Sequence, residues 1–283
     1  MKTIKKFAAW GLLLSLLISF FAPAKNVLAA SSKKTIYVVS SVKVNGTTAN
    51  GKENYKSSVS YNKYGLLTKI NNNGSENITD TFTYDKNQRL TKFTEKIGTG
   101  DAKDINTTNY SYKNGKLCKS TRNRQDGDKV VTTYTWKNGL ITSSTLVTSW
   151  LQNGKTESVT TKSSYKYKNN HVCYAKDSSN GYKNEFFITH DKKGNVTKFV
   201  YKNNSNKKAI LNVSSKITYD KNKRATKIVN EFKSPFLDKA EKFTKTVTYK
   251  KITVDKKYAS AIANQQWQLL NANFNSIGIG FAW

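Results

Sequence analysis

The chain reads as an all-β protein: repeated antiparallel β-hairpins forming a large curved or partly closed sheet, followed by one C-terminal α-helix. Three observations predict this. A short phrase recurs at intervals of 23 to 31 residues, which marks one small structural unit used many times. Turn residues sit at fixed places inside the phrase. Apolar and polar residues alternate on its approach.

The long spelling is YNKYGLLTK from Tyr61, YDKNQRLTK from Tyr84, HDKKGNVTK from His190 and YDKNKRATK from Tyr219. The contracted spelling is YKNGKLCK from Tyr112, WKNGLITS from Trp136 and YKNNHVCY from Tyr167, and a worn copy begins at Tyr249. In the contracted form Asn114-Gly115 and Asn138-Gly139 predict type I′ hairpin tips, whose two central residues need φ > 0. That register sets Lys113 opposite Lys116 and Tyr112 opposite Leu117. The long form has one more residue and suits a three-residue loop, a type I turn followed by an αL residue, with Asp85, Asp191, Asp220 or Asn62 opening the turn. Gly65 and Gly194 fall at the αL position, and Gln88 and Lys223 fall there without glycine's freedom.

Two residues before each anchor stands Val59, Phe82, Tyr110, Tyr134, Tyr165, Ile188, Ile217 or Val247, with a Ser, Thr or Lys between, so one face of each incoming strand is apolar. Simple alternation fails on the outgoing strands, where Leu90 and Phe93 differ in parity, as do the pairs around Ile70, Phe199 and Ile228. Either a bulge reverses the facing or both faces are partly covered.

Three segments follow: 1–30 as a secretory signal, 31–256 as the hairpin array, and 257–283 as a helix and tail packing on the sheet. The signal reading rests on Lys2, Lys5 and Lys6, an apolar run from Phe7 to Phe21, and Val27-Leu28-Ala29 as a cleavage site near Ala29 or Ala30. The run is shorter than the ~20 residues of a membrane span, so no transmembrane segment is expected after cleavage. A secreted or cell-wall-associated, extracellular protein is the expectation. Tyr258 to Phe274 has helical spacing, and Ile277 to Trp283 reads as a short strand-like tail.

Lys and Arg number 48 against 18 Asp and Glu, a net charge of +30 that becomes +26 without the four signal lysines. Only four of the basic residues are arginines, so the charge suits diffuse attraction to polyanions or a solvated surface more than bidentate recognition, and no specific nucleic-acid contact is expected. No cofactor or metal is implied: the two histidines, His171 and His190, occupy repeat positions, and no ligand cluster, phosphate loop or nucleophile elbow is present. Cys118 and Cys173 are separated by a whole hairpin, about four strand steps, beyond disulfide reach in a continuous sheet. Tyr110, Tyr112, Tyr134, Trp136, Tyr165 and Tyr167 form an aromatic ladder that is either a sugar-binding platform or core.

The unit Y-D-x-x-G-x-L-T-K, at Tyr84, Asp85, Leu90 and Thr91 and at Asp191, Gly194, Val196 and Thr197, resembles the YD repeat of bacterial Rhs proteins, wall-associated proteins and teneurins. The resemblance spans residues ~55 to ~250. It implies hairpins that build long wound sheets used in cell-surface binding or in enclosing a toxin. The expectation is a non-enzymatic binding or scaffold protein of the cell envelope or exterior, with anionic wall polymers or acidic polysaccharide as partners. The rivals are a half-barrel carrier of a hydrophobic or lipid ligand, with the helix as lid, and a hydrolase using scattered carboxylates.

Overall fold

The computed structural model describes residues 32–48, 51–74, 77–98, 104–204 and 206–271. The signal segment, its cleavage site and the tail from Ile277 to Trp283 lie outside them. Among the described residues are sixteen strands: β1 Lys33–Thr48, β2 Gly51–Tyr61, β3 Leu67–Asn73, β4 Ile78–Tyr84, β5 Leu90–Ile97, β6 Asp104–Lys113, β7 Lys116–Asn123 and β8 Lys129–Lys137; then β9 Leu140–Gln152, β10 Lys155–Lys168, β11 His171–Ser179, β12 Tyr182–His190, β13 Val196–Asn203, β14 Asn206–Tyr219, β15 Ala225–Lys233 and β16 Glu241–Asp255. A 3₁₀ turn at Lys256–Tyr258 leads into helix α1, Ala259–Asn271.

Every strand pairs antiparallel with its sequence neighbours, and β1 pairs with β16 from Lys33 opposite Asp255 to Thr47 opposite Lys242. The sheet is therefore a closed barrel, which corrects the expectation of a curved or partly closed sheet. Closure pairs the two rows of backbone donors and acceptors that an open sheet would leave bare. The closing strand β1 precedes the first copy of the phrase, so the repeats carry no sign of it.

The seven hairpins that carry the phrase all turn at one end of the barrel, the tip end. The I′ turns form as read: Asn114 and Gly115 have φ of 51° and 74°, Asn138 and Gly139 of 51° and 78°. Lys113 faces Lys116, and Tyr112 faces Leu117. In the long hairpins the Asp85 N–H donates to Arg89 O and the Gln88 N–H to Asp85 O, both at 2.9 Å, with Gln88 at φ 59°. Asp85 Oδ1 also accepts from the N–H groups of Asn87 and Arg89, which is why an acid opens the turn.

A bulge resolves the parity conflict. Thr83 faces Lys92 while Tyr84 faces Leu90, leaving Thr91 as the extra residue, and the same slip recurs at Thr68, Cys118, Thr142, Cys173, Thr197 and Thr226. Leu90 and Phe93 thus both point inward. The extra residue's side chain caps the opposite strand: Thr91 Oγ1 donates to Thr83 O at 3.2 Å, Thr197 to Thr189 O at 3.2 Å and Thr226 to Thr218 O at 3.3 Å. Cys118 and Cys173 take the threonine's place, their thiols donating to Ser111 O at 3.3 Å and Lys166 O at 3.5 Å. Both thiols are free.

The inward side chains form the core. Val59, Phe82, Tyr110, Tyr134, Ile188 and Val247 are buried, and Val39, Leu117 and Phe199 are inaccessible to solvent. The alternating residues Ser60, Thr83, Ser111, Thr135, Lys166, Thr189, Thr218 and Thr248 are exposed on the outer wall. Water outside and apolar side chains inside are what the period-2 pattern of the incoming strands dictates.

Candidate functional site

Charge is distributed unevenly along the barrel axis. The inward ring of Val42, Val59, Phe82, Tyr110, Tyr134, Tyr165, Ile188, Ile217 and Val247, with its partners on the outgoing strands, carries no ionisable acid or base other than tyrosine and divides the wall. On its tip side, among the described residues, are 24 Lys and Arg against Asp85, Asp191, Asp220 and Asp255, a net +20. On the far side are 19 against 12, a net +7. The phrase itself causes this: its tip lysines and its terminal lysine, as at Lys69, Lys92, Lys119, Lys198 and Lys227, recur around the ring on the outer face. Three of the four tip acids are turn openers, and Asp85 and Asp220 are further engaged by Arg89 and Arg224 at 2.7 Å and by bonds that hold both carboxyls below the usual range.

The tip end is also braced. Most anchor aromatics reach across to the preceding hairpin and donate to the carbonyl of the aliphatic residue beside that hairpin's bulge, whereas Tyr219 donates to the Asp191 carboxylate. Tyr84 bonds Leu67 O at 2.7 Å, Tyr112 Leu90 O at 2.8 Å, Trp136 Nε1 Leu117 O at 2.7 Å, Tyr167 Ile141 O at 2.7 Å and Tyr249 Ala225 O at 2.8 Å. Tyr61 does the same to Val39 O at 2.6 Å, at the bulge of β1. Burial raises the hydroxyl pKa of these tyrosines, keeping them protonated donors. The signal was in the sequence: every anchor is Tyr, Trp or His, with a polar atom at its far edge, and none is Phe.

This places the aromatic ladder. Tyr110 and Tyr134 are 6% and 8% exposed. Tyr134 and Tyr165 share hydrogens with Ser120 and Ser144 at 2.8 Å, while Tyr112, Trp136 and Tyr167 are three of the braces. All six face inward, because they share parity with the buried ring. Of the two readings of the ladder, the geometry favours core: Tyr110 and Tyr134 are buried, and Tyr112, Trp136, Tyr165 and Tyr167 are partly buried against the same cluster.

Helix α1 closes the tip end by polar contacts. Its buried residues are Ile262, Gln265, Gln268 and Asn271, one face at spacing three. Gln266 Oε1 accepts from Val39 N at 2.6 Å, Gln265 Oε1 from Leu67 N at 2.9 Å and Asn271 Oδ1 from Val196 N at 3.1 Å, so side-chain amides satisfy N–H groups at the β1 bulge and at the starts of β3 and β13. Trp267 Nε1 donates to Gly194 O at 2.6 Å, and its ring lies 5.9 Å from His171 and 6.4 Å from His190. Burial, and then the neighbouring His171, pushes His190 down to about 4, so both imidazoles are neutral wedges under the helix. From inside, the buried Lys245 Nζ donates to Leu270 O at 2.9 Å in the last turn, where the helix dipole favours a donor.

One interior polar group lies towards the far end. Arg122 pairs with Glu95 at 2.8 Å, Asn106 donates to the same carboxylate at 3.0 Å, and Asp80 stands opposite Glu95 across the β4–β5 ladder. Burial, reinforced by Glu95, pushes Asp80 up to about 8. The group faces the barrel interior on the far side of the inward ring.

No family model matches this chain, and no curated protein does. Solved structures similar to it include a porin-like protein from Bacteroides uniformis, at 12% identity over 75% of this chain and 98% of that one with a TM-score of 0.49. Another is a porin-like protein from Bacteroides vulgatus, at 11% identity over the same shares with a TM-score of 0.47. The functional reading rests on this chain's own residues.

Proposed function

We propose that this is an exported, non-enzymatic binding or scaffold protein that holds anionic wall polymer or acidic polysaccharide against the tip end of its barrel. One observation carries the reading: the net +20 on the tip side against +7 on the far side, arranged around a ring by a repeated phrase. Lysines are hydrated point charges on flexible stems, and spread over many hairpins they suit a polymer with repeating charge better than a single small anion. The braces and the bulge bonds hold the tips in fixed register, so the charges are presented on a stiff rim. The resemblance to YD-repeat proteins of cell surfaces agrees with this role. A hydrophobic-carrier reading would require α1 to leave the tip end.

The test is association of the protein, freed of its signal, with isolated cell walls and with an acidic polysaccharide across a salt series. Binding should weaken steeply as the screening length shortens from ~30 Å at 0.01 M to ~8 Å at physiological ionic strength. The loss should be graded over many lysine substitutions. Equal binding to neutral and acidic polymers, indifferent to salt, would refute the proposal.

A further inference from the structure

The far end of the barrel carries a feature the charge does not explain. The large apolar side chains exposed among the described residues are Tyr37, Ile105, Leu151, Tyr182, Phe187 and Phe236. Two of them lie under cations: the Arg224 guanidinium is 4.0 Å from the Tyr37 ring and Lys202 Nζ 5.5 Å from the Phe187 ring. The other four, Ile105, Leu151, Tyr182 and Phe236, at 41%, 72%, 62% and 77% exposed, all sit at the far end. Three of them are held out by tight turns. Leu151 precedes the hairpin at Asn153-Gly154, and Tyr182 follows the one at Asn180-Gly181, each pair with both φ values positive. Phe236 rides on the turn Ser234-Pro235-Phe236-Leu237, closed by Leu237 N donating to Ser234 O at 3.1 Å.

We propose that this end docks on a phospholipid surface, dipping its rim among the headgroups. The four side chains stand on β6, β9, β12 and the β15–β16 turn, so the strand order spreads them around one end of the barrel, a layout that suits a planar partner better than a groove-bound peptide. Exposed Lys155, Lys183, Lys233 and Lys239 lie beside three of them, at the level where lysines meet lipid phosphates. Glu157 and Asp238 are interspersed, and the far side as a whole is much less basic than the tip side, which makes apolar contact the main source of affinity. The outer wall of Ser, Thr and Lys limits insertion to the rim, because a spanning barrel needs an apolar outer band. The barrel would then stand on the lipid with its basic end turned away. This inference does not depend on the polymer-binding proposal.

The experiment is co-sedimentation of the signal-free protein with vesicles of neutral phosphatidylcholine at about 1 M salt, where a screening length of roughly 3 Å silences the tip-end lysines. The native protein should sediment with the vesicles. Leu151→Ser and Phe236→Ser should each weaken binding about tenfold, with their combination multiplying, while thermal melts stay unchanged because both side chains are exposed. Protein left in the supernatant would overturn the inference. Binding that the double variant retains in full would overturn it as well.

Discussion

Gly194→Ala and Gly115→Ala should differ sharply in cost although both glycines sit at φ > 0, at 82° and 74°. Each substitution forces an alanine into the left-handed region, a penalty of about 1 kcal/mol. At Gly115 nothing lies within 4 Å of the added Cβ, so that penalty is the whole effect. At Gly194 the Cβ would stand 2.4 Å from His171 Nε2 and 2.7 Å from Cε1, about 1 Å inside contact distance. His171 must then move off His190, 5.1 Å away, and off Trp267, 5.9 Å away, losing two ring contacts worth roughly 0.5–1.5 kcal/mol each. The total for Gly194→Ala is ~2–4 kcal/mol. Urea unfolding followed by tryptophan fluorescence measures both, and the near-ultraviolet dichroism of Trp267 should change in the Gly194 variant alone. Equal costs would refute the claim that Gly194 is packed against the helix seat.

Tyr112→Phe should cost about 1–2 kcal/mol, because it leaves Leu90 O without its donor while keeping the ring, and unchanged urea midpoints would show that the braces contribute nothing. His190 titrates near 4 folded and near 6.5 unfolded, so the unfolded chain binds more protons between those values and stability should fall as pH drops from about 6.5 through 4. The melting temperature of His190→Phe should lose part of that slope, and an identical pH profile would contradict the wedge. Cys118→Thr and Cys173→Thr should shift stability by less than about 0.5 kcal/mol, since threonine fills the same bulge position in the other hairpins, and alkylation without reductant should label both native thiols. A disulfide-linked peptide pair would contradict the register of the β6–β11 wall.

The hairpins were legible because turn chemistry is local: Asn114-Gly115 and the Asp85 turn fix their own dihedrals whatever surrounds them. The bulge was half legible, since the parity clash between Leu90 and Phe93 demanded a cause without choosing one. Closure was not legible, because the pairing of β1 with β16 joins residues 195 to 222 apart and β1 lacks the phrase. The far-end hairpins at Asn153-Gly154 and Asn180-Gly181 carry the same dipeptide as the tips and could have been read from it. The seat of α1 was hidden because Gln265, Gln266 and Asn271 act through single amides on distant backbone N–H groups, which leaves no period in the sequence. The basic end emerges only when the lysines are placed along the strands; composition gave their number and not their side.

The most direct test of the polymer-binding account compares two charge-reversed proteins of equal net charge. One carries Lys63→Glu, Lys86→Glu, Lys113→Glu and Lys192→Glu on four tips; the other carries Lys52→Glu, Lys155→Glu, Lys183→Glu and Lys239→Glu at the far end. Each set of four substitutions lowers the charge by eight, so non-specific attraction falls equally. Affinity for an acidic wall polymer at low salt should drop at least tenfold more in the tip variant than in the far-end variant. Equal losses would show that the polymer senses only net charge, and a larger loss in the far-end variant would place the binding surface on the wrong end of the barrel.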